Sequence, residues 1–144
     1  MSAVVREVEV PVDPATAFKA FTDEIGEWYR SGPYSWNDPK RAVGIRFDRD
    51  RLVEVWDEQT GEGYEMGRVL VWEPGARIVF EFHSLLLPPG PTEVEVRFEP
   101  VADGTRVTLE HRGLERLPPE EAERLRQRAW INFMSWFRAH LTPP

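Results

Sequence analysis

The stretch 117–141 constrains this chain more than any other. Pro118 and Pro119 open it, and proline suits a first helical turn because its missing N–H would be unpaired there anyway. Glu120 and Glu121 follow, favourable at the positive end of a helix dipole, and Glu120 precedes Arg124 by four residues, a supporting ion pair. At about 100° per residue, Ala122, Leu125, Ala129, Trp130, Phe133, Trp136, Phe137 and Leu141 fall within one half of the helical wheel. The spacing predicts one long amphipathic helix. No other stretch can form a helix this long, and what precedes it reads as a sheet in need of a cover.

Residues 4–10 set Glu7 and Glu9 against Val8 and Val10, the alternation of a half-buried strand, and Pro11 ends it. Asp13 followed by Pro14 is an N-cap with a first-turn proline. It starts a short helix over 14–21 that carries Phe18 and Phe21. A second short helix over 23–29 carries Ile25 and Trp28. Residues 30–43 hold Gly, Ser, Asn and two prolines, the chemistry of a loop. Trp36 within it is expected to tuck under the rest of the fold.

Strands are predicted over 45–48 and 51–56, around a tight turn at Asp48-Arg49-Asp50, and over 64–72 and 76–83, joined by the hairpin signal Glu73-Pro74-Gly75. Over 92–99, Val94, Val96 and Phe98 share one face and Glu93, Glu95, Arg97 and Glu99 the other. Asp103-Gly104 turns the chain into 105–111, with Val107, Leu109 and His111 on one face. Short hairpin links imply an antiparallel meander. Both parities of 64–72 carry large apolar groups, so its inward face stays open. No repeat or low-complexity tract interrupts the chain, and one domain over 1–144 is expected.

An antiparallel sheet of six or seven strands with one apolar face must bury that face, and one helix is too narrow to cover it flat. A strongly curved sheet gripping the helix satisfies both, and such a grip tends to leave a cavity. From the strands its expected lining is Ile78, Phe80 and Phe82, with Val94, Val96 and Phe98, then Val107 and Leu109. Trp130, Phe133 and Phe137 come from the helix, and Trp28 and Trp36 are expected near an open end.

Charge and cysteine content exclude several functions. With 25 acidic against 18 basic residues the net charge is −7, which argues against a nucleic-acid backbone and an anionic membrane surface. There is no cysteine, hence no disulfide framework, thiolate zinc site or cysteine nucleophile. No apolar run approaches the ~20 residues of a membrane span. The N-terminus lacks a basic region followed by an apolar one, so no signal peptide is expected and a cytoplasmic location is.

Five stretches, in order, resemble the START/SRPBCC helix-grip superfamily (the Bet v-like fold), and within it the bacterial proteins homologous to the activator of the heat-shock-protein-90 ATPase. They are REVEVPVDPATAFKAFTD, EIGEWYRSG, YEMGRVLVWEPGARIVFEFH, TEVEVRFEPVADGTRVTLEHRGLE and RAWINFMSWFRAHL. Together they span nearly the whole chain. Ala129 departs from the glycine usual before the tryptophan, and Met134 from a usual leucine. A larger residue at 129 is expected to push the helix from the sheet or narrow the cavity. The resemblance implies an α+β helix-grip fold: a curved antiparallel sheet around a long C-terminal helix, with two short helices after the first strand. It also implies a pocket for a hydrophobic ligand. It implies no one activity, since the superfamily includes lipid carriers, polyketide cyclases, hormone receptors and co-chaperone domains.

Few residues offer chemistry. His111 shares the parity of Val107 and Leu109; pointing inward, it could hold a ligand's polar head or act as a base, and the plainer reading is a core-edge histidine bonded to backbone. His83, at a strand end, is expected at the surface. His140 near the helix C-terminus suits the dipole. Three histidines without close spacing make no metal motif. Arg126 lies inside the apolar arc and could meet a ligand carboxylate, or else reach the rim and pair with a glutamate. Tyr64 and Arg68 share a strand face and could orient a polar ligand group. No phosphate loop, Ser-His-Asp set or nucleotide fingerprint is present.

The expected function is non-catalytic binding of a small hydrophobic or amphipathic molecule between sheet and helix, with no cofactor and no metal. The site is expected to comprise Trp28, Trp36, Phe80, Phe82, Val96, Phe98, Leu109, His111, Arg126, Trp130, Phe133 and Phe137. One alternative is a co-chaperone-like interaction domain with a chaperone, or a second copy of the chain, as partner. Another is a cyclase- or dehydratase-type enzyme using His111 or Arg126. A filled interior favours the co-chaperone reading, and His111 bonded to a second titratable group favours the enzyme.

Overall fold

The structure, a computed structural model, describes residues 3–30, 40–82 and 92–143. Trp36, His83 and most of the predicted 30–43 loop lie outside these residues. The order is β1 (Val4–Val10), α1 (Pro14–Thr22), α2 (Ile25–Trp28), β2 (Gly44–Phe47), β3 (Arg51–Asp57), β4 (Glu62–Glu73), β5 (Arg77–Phe82), β6 (Thr92–Val101), β7 (Gly104–Arg112), α3 (Pro119–Arg128) and α4 (Ile131–Leu141), with a short 3-10 turn at Leu114–Arg116. This is the α+β helix-grip arrangement, a curved antiparallel half-barrel with α3 and α4 as its C-terminal cover. Among the described residues no helix is long and apolar enough to cross a membrane.

The seven strands run in the order β1-β7-β6-β5-β4-β3-β2. β2 to β7 form the hairpin meander, and β1 pairs antiparallel with β7 from Val4 opposite His111 to Val10 opposite Thr105. Asp13 caps α1 with its carbonyl, which accepts from Ala17 N–H at 2.9 Å. Its carboxylate takes the Thr16 hydroxyl instead of a backbone amide. α4 lies against β1, α1 against β6 and α2 against β2, so the helices close over the concave face.

Strand parity sets what each face becomes. The inward positions of β5, β6 and β7 bury Ile78, Phe80, Phe82, Val94, Val96, Phe98, Val107 and Leu109. The outward positions interleave glutamate and arginine. Glu95 is nearly buried there, 3.2 Å from Arg77, 3.6 Å from Arg97 and 2.6 Å from Arg112. Burial opposes its charge, but hydrogen bonds from Arg112 and Arg77 outweigh that and hold its carboxyl below the usual range.

β4 explains why its inward face could not be assigned. Its pairing slips against β3 between Leu52 and Val53, and against β5 between Val69 and Val71. A bulge flips the side-chain alternation. Met66 points in, Arg68 and Leu70 are exposed, and Trp72 packs against the core again. Gly67 permits the close approach: a Cβ there would stand 1.4 Å from the Glu81 carbonyl oxygen.

The expected single helix over 117–141 is two helices. α3 ends at Arg128, Ala129 is extended (φ −63°, ψ 139°), and Trp130 is left-handed (φ 70°, ψ −5°) before α4 begins. Trp130 is the one non-glycine residue with positive φ among the described residues. Its carbonyl accepts from Met134 N–H at 2.9 Å, starting the second helix. Arg6 of β1 takes up carbonyls freed at the end of the first, with Nη2 donating to Arg126 O at 2.7 Å and Nε to Ala129 O at 3.0 Å. Arg124 pairs with Glu121, one position nearer than the expected Glu120.

Candidate functional site

The concave interior has an aromatic part and a polar end. Phe21 of α1 organises the aromatic part, edge-on to Phe98, Phe133 and Phe137 with ring centroids 5.9, 5.7 and 5.4 Å away. Trp28 packs against Phe133 at 4.8 Å, and its Nε1–H donates to Ala20 O at 2.8 Å. It is buried in this packing, not placed at an open end. Phe47 of β2 stands on Phe80 at 5.4 Å and joins the aromatic part to the sheet.

The polar end is built on His111. Trp130 Nε1–H donates to His111 Nδ1 at 3.0 Å. His111 Nε2 lies 2.6 Å from Thr92 Oγ1, whose hydroxyl donates to Phe82 O at 2.9 Å. Edge contacts enclose the chain of bonds: Phe82 to His111 at 5.5 Å, Phe82 to Trp130 at 5.2 Å, Trp130 to Phe133 at 5.0 Å. Burial pushes the His111 imidazole down to about 4, so it is neutral at pH 7. Both ring nitrogens are engaged, with Trp130 and Thr92 as partners, and neither partner titrates near neutrality.

Ten of the twelve expected site residues come together here: Trp28, Phe80, Phe82, Val96, Phe98, Leu109, His111, Trp130, Phe133 and Phe137. None exposes more than 5% of its surface to a water-sized probe. Arg126 lies apart, half-exposed on α3, with Nε and Nη2 both 3.1 Å from Glu123 Oε1. Trp36 is outside the described residues.

Other singled-out groups stand elsewhere. His140 Nε2 is 2.9 Å from Glu24 Oε1, which joins the end of α4 to the α1–α2 link, and Glu27 lies beside them. Tyr64 stacks on Trp56 with rings 6.2 Å apart and 20° between planes. Burial and then the Glu65 charge raise its phenol. Arg68 is exposed. An open groove of about 970 Å³ runs along the opposite end of the sheet, between Glu9, Asp103, Arg138 and Pro143.

Sequence reading missed two residues. Thr92 was legible: it shares the parity of Val94, Val96 and Phe98, so a hydroxyl was bound to face inward. Arg6 shares the parity of Val4, Val8 and Val10, a cation on the apolar side of its strand. Its use as a cap depends on a helix end that the helical wheel hides.

Comparison with known proteins fits this geometry. A family model described as "Activator of Hsp90 ATPase homolog 1-like protein" matches residues 11–141. No curated protein matches significantly. Among solved structures, protein MLL2253 from Mesorhizobium loti superposes with a TM-score of 0.67 at 18% identity, covering 95% of this chain and 94% of that one. CalC from Micromonospora echinospora, described as a self-sacrificing resistance protein, gives 0.65 at 24% identity, covering 96% and 93%. CalU16 from the same organism gives 0.67 at 16% identity, covering 99% and 77%. At these identities the likeness is one of fold.

Proposed function

The chain belongs to the Activator of Hsp90 ATPase homolog 1-like family, and from that membership we propose that it binds a small hydrophobic or amphipathic molecule between the sheet and the α3–α4 cover, without catalysis. The observation that carries the reading is the make-up of the interior: an aromatic and aliphatic enclosure with the hydrogen-bonded group Trp130, His111 and Thr92 at one end. Apolar burial supplies affinity in such a site, and the few polar groups supply orientation. In this reading the ligand enters as the cover moves, because the residues that would line the site are buried. A cytoplasmic protein acting as one domain over 1–144 is part of this reading.

His111 argues against an enzyme. A general base needs an operating pKa near neutrality; burial takes this imidazole down to about 4, and its partners Trp130 and Thr92 supply no second titratable group. The closed packing favours a second reading, a co-chaperone-like domain whose partner is a larger chaperone and whose outer surface carries the function.

Native mass spectrometry of protein purified from its own host, compared with the denatured mass, decides between them. A mass increment lost on denaturation, with fluorescence enhancement of an apolar probe, is the expected result. No increment and no enhancement would reject ligand binding in favour of the protein-interaction reading.

A further inference from the structure

The hydrogen-bond chain at the polar end has a direction, and its far end fixes it. The Phe82 carbonyl can only accept. Thr92 spends its one proton there and so receives at Oγ1 from His111 Nε2–H. The network thus assigns His111 the Nε2–H tautomer and leaves Nδ1 as a lone-pair acceptor. The indole N–H of Trp130, a donor only, meets that acceptor at 3.0 Å.

Trp130 is also the residue of this enclosure that stands at the junction of the two cover helices. It stands at φ 70° between two helices, a conformation unfavourable for any residue but glycine. The helix before it is lightly packed: α3 fully buries only Ala122, and Arg6 holds the carbonyls at its end. Phe82 and Phe133 flank its ring edge-on, which leaves the outline of a flat ring system when the indole withdraws.

We propose that the ligand of this interior is an apolar ring compound carrying one hydrogen-bond donor, a hydroxyl or N–H group, which takes the place of the Trp130 indole against His111 Nδ1. The inference rests on the ligand-binding reading above and names the chemistry that the site selects. A ketone or ether offers only lone pairs and would face a lone pair. A carboxylate would meet the same lone pair beside Phe82 and Val94, while Arg6, the cation on the inward parity of β1, is engaged by the Arg126 and Ala129 carbonyls. Arg112, next in sequence, points to the outer face and pairs with Glu93 and Glu95. A donor on a ring restores the bond that the indole makes and keeps the Thr92 and Phe82 links intact.

The test holds the ring constant and varies the polar group. Calorimetric titration of the wild-type chain with 2-naphthol, 2-methoxynaphthalene and 2-naphthoate should show 2-naphthol at least tenfold tighter than the other two. In His111→Ala that preference should fall below about threefold. A cavity variant adds an independent measurement: Trp130→Gly, with glycine at home at φ 70°, should bind indole at least tenfold tighter than benzothiophene, which has the same shape and no donor. Equal affinity for the three naphthalenes, or a preference that survives in His111→Ala, overturns the donor assignment and leaves the binding reading standing. Binding of none of the three overturns both. Should Trp130→Gly fail to fold, the wild-type series decides alone.

Discussion

α3 and α4 come from one amphipathic pattern and hold to the sheet in opposite ways. α4 buries Phe133, Met134 and Phe137, and its two phenylalanines interlock with Phe21 and Trp28. α3 buries one alanine, and β1 grips its end through backbone carbonyls. One half is fixed by packing and the other by hydrogen bonds at its tip. A cover with one fixed and one lightly held half can open without dissolving the core.

Breaking the fixed half should cost most. Phe137→Ala removes a fully buried ring and is expected to destabilise the fold by ~3–5 kcal/mol in a urea titration. The matching change in α3, Leu125→Ala, removes a half-buried side chain and should cost less than half as much. Equal losses would abolish the contrast between the helices.

The junction comes next. Trp130→Phe keeps a ring in place but withdraws the donor from His111 Nδ1, an expected loss of ~1–3 kcal/mol for the stranded acceptor. The buried histidine also makes stability depend on pH. Its folded value of about 4 lies below the ordinary 6.5, so the unfolded chain binds the extra proton as pH falls between them. Stability is complete above 6.5 and declines through that window, by ~2 kcal/mol at pH 5. The urea midpoints at pH 7 and pH 5 should differ accordingly, and the difference should shrink in His111→Gln.

The lightly held half gives the smaller effects. Arg6→Met withdraws the charged donors from Arg126 O and Ala129 O and should cost ~1–2 kcal/mol. Hydrogen exchange should quicken over 119–128 and stay unchanged over 131–141. Protection lost equally from both helices would mean that they open as one unit. Smallest of all, Arg126→Ala breaks a solvent-exposed pair with Glu123 and should move stability by less than ~0.5 kcal/mol.

Most of the frame could be read from the residues because burial imposes periodicity. The alternation in 92–99 and 105–111 located β6 and β7 within two residues at each end and put His111 inside. The hairpin links pointed to the meander of β2 to β7, and the alternation over Val4–Val10 to β1. The pattern failed where two signals coincide. Bulges in β4 mix its parities, so Met66 and Trp72 point in while Arg68 between them does not. The break after Arg128 is silent because Ala129 and Trp130 keep their places on the wheel. The resemblance pointed to position 129 as unusual, but its φ of −63° suits alanine, and the strained residue is its neighbour. What holds Trp130 there is a histidine nineteen positions upstream, and no local pattern encodes that bond.

The pairing of the first strand has a consequence for how the molecule is made. β1 finds its strand partner in β7, and Arg6 finds its acceptors in the Arg126 and Ala129 carbonyls, 120 and 123 residues further along the chain. During synthesis β1 therefore waits, unpaired, while the whole meander emerges before it. Non-local closure of this kind slows folding and leaves the waiting segment exposed to association with other chains. The glutamates at positions 7 and 9 keep that waiting strand charged and soluble until its partner arrives.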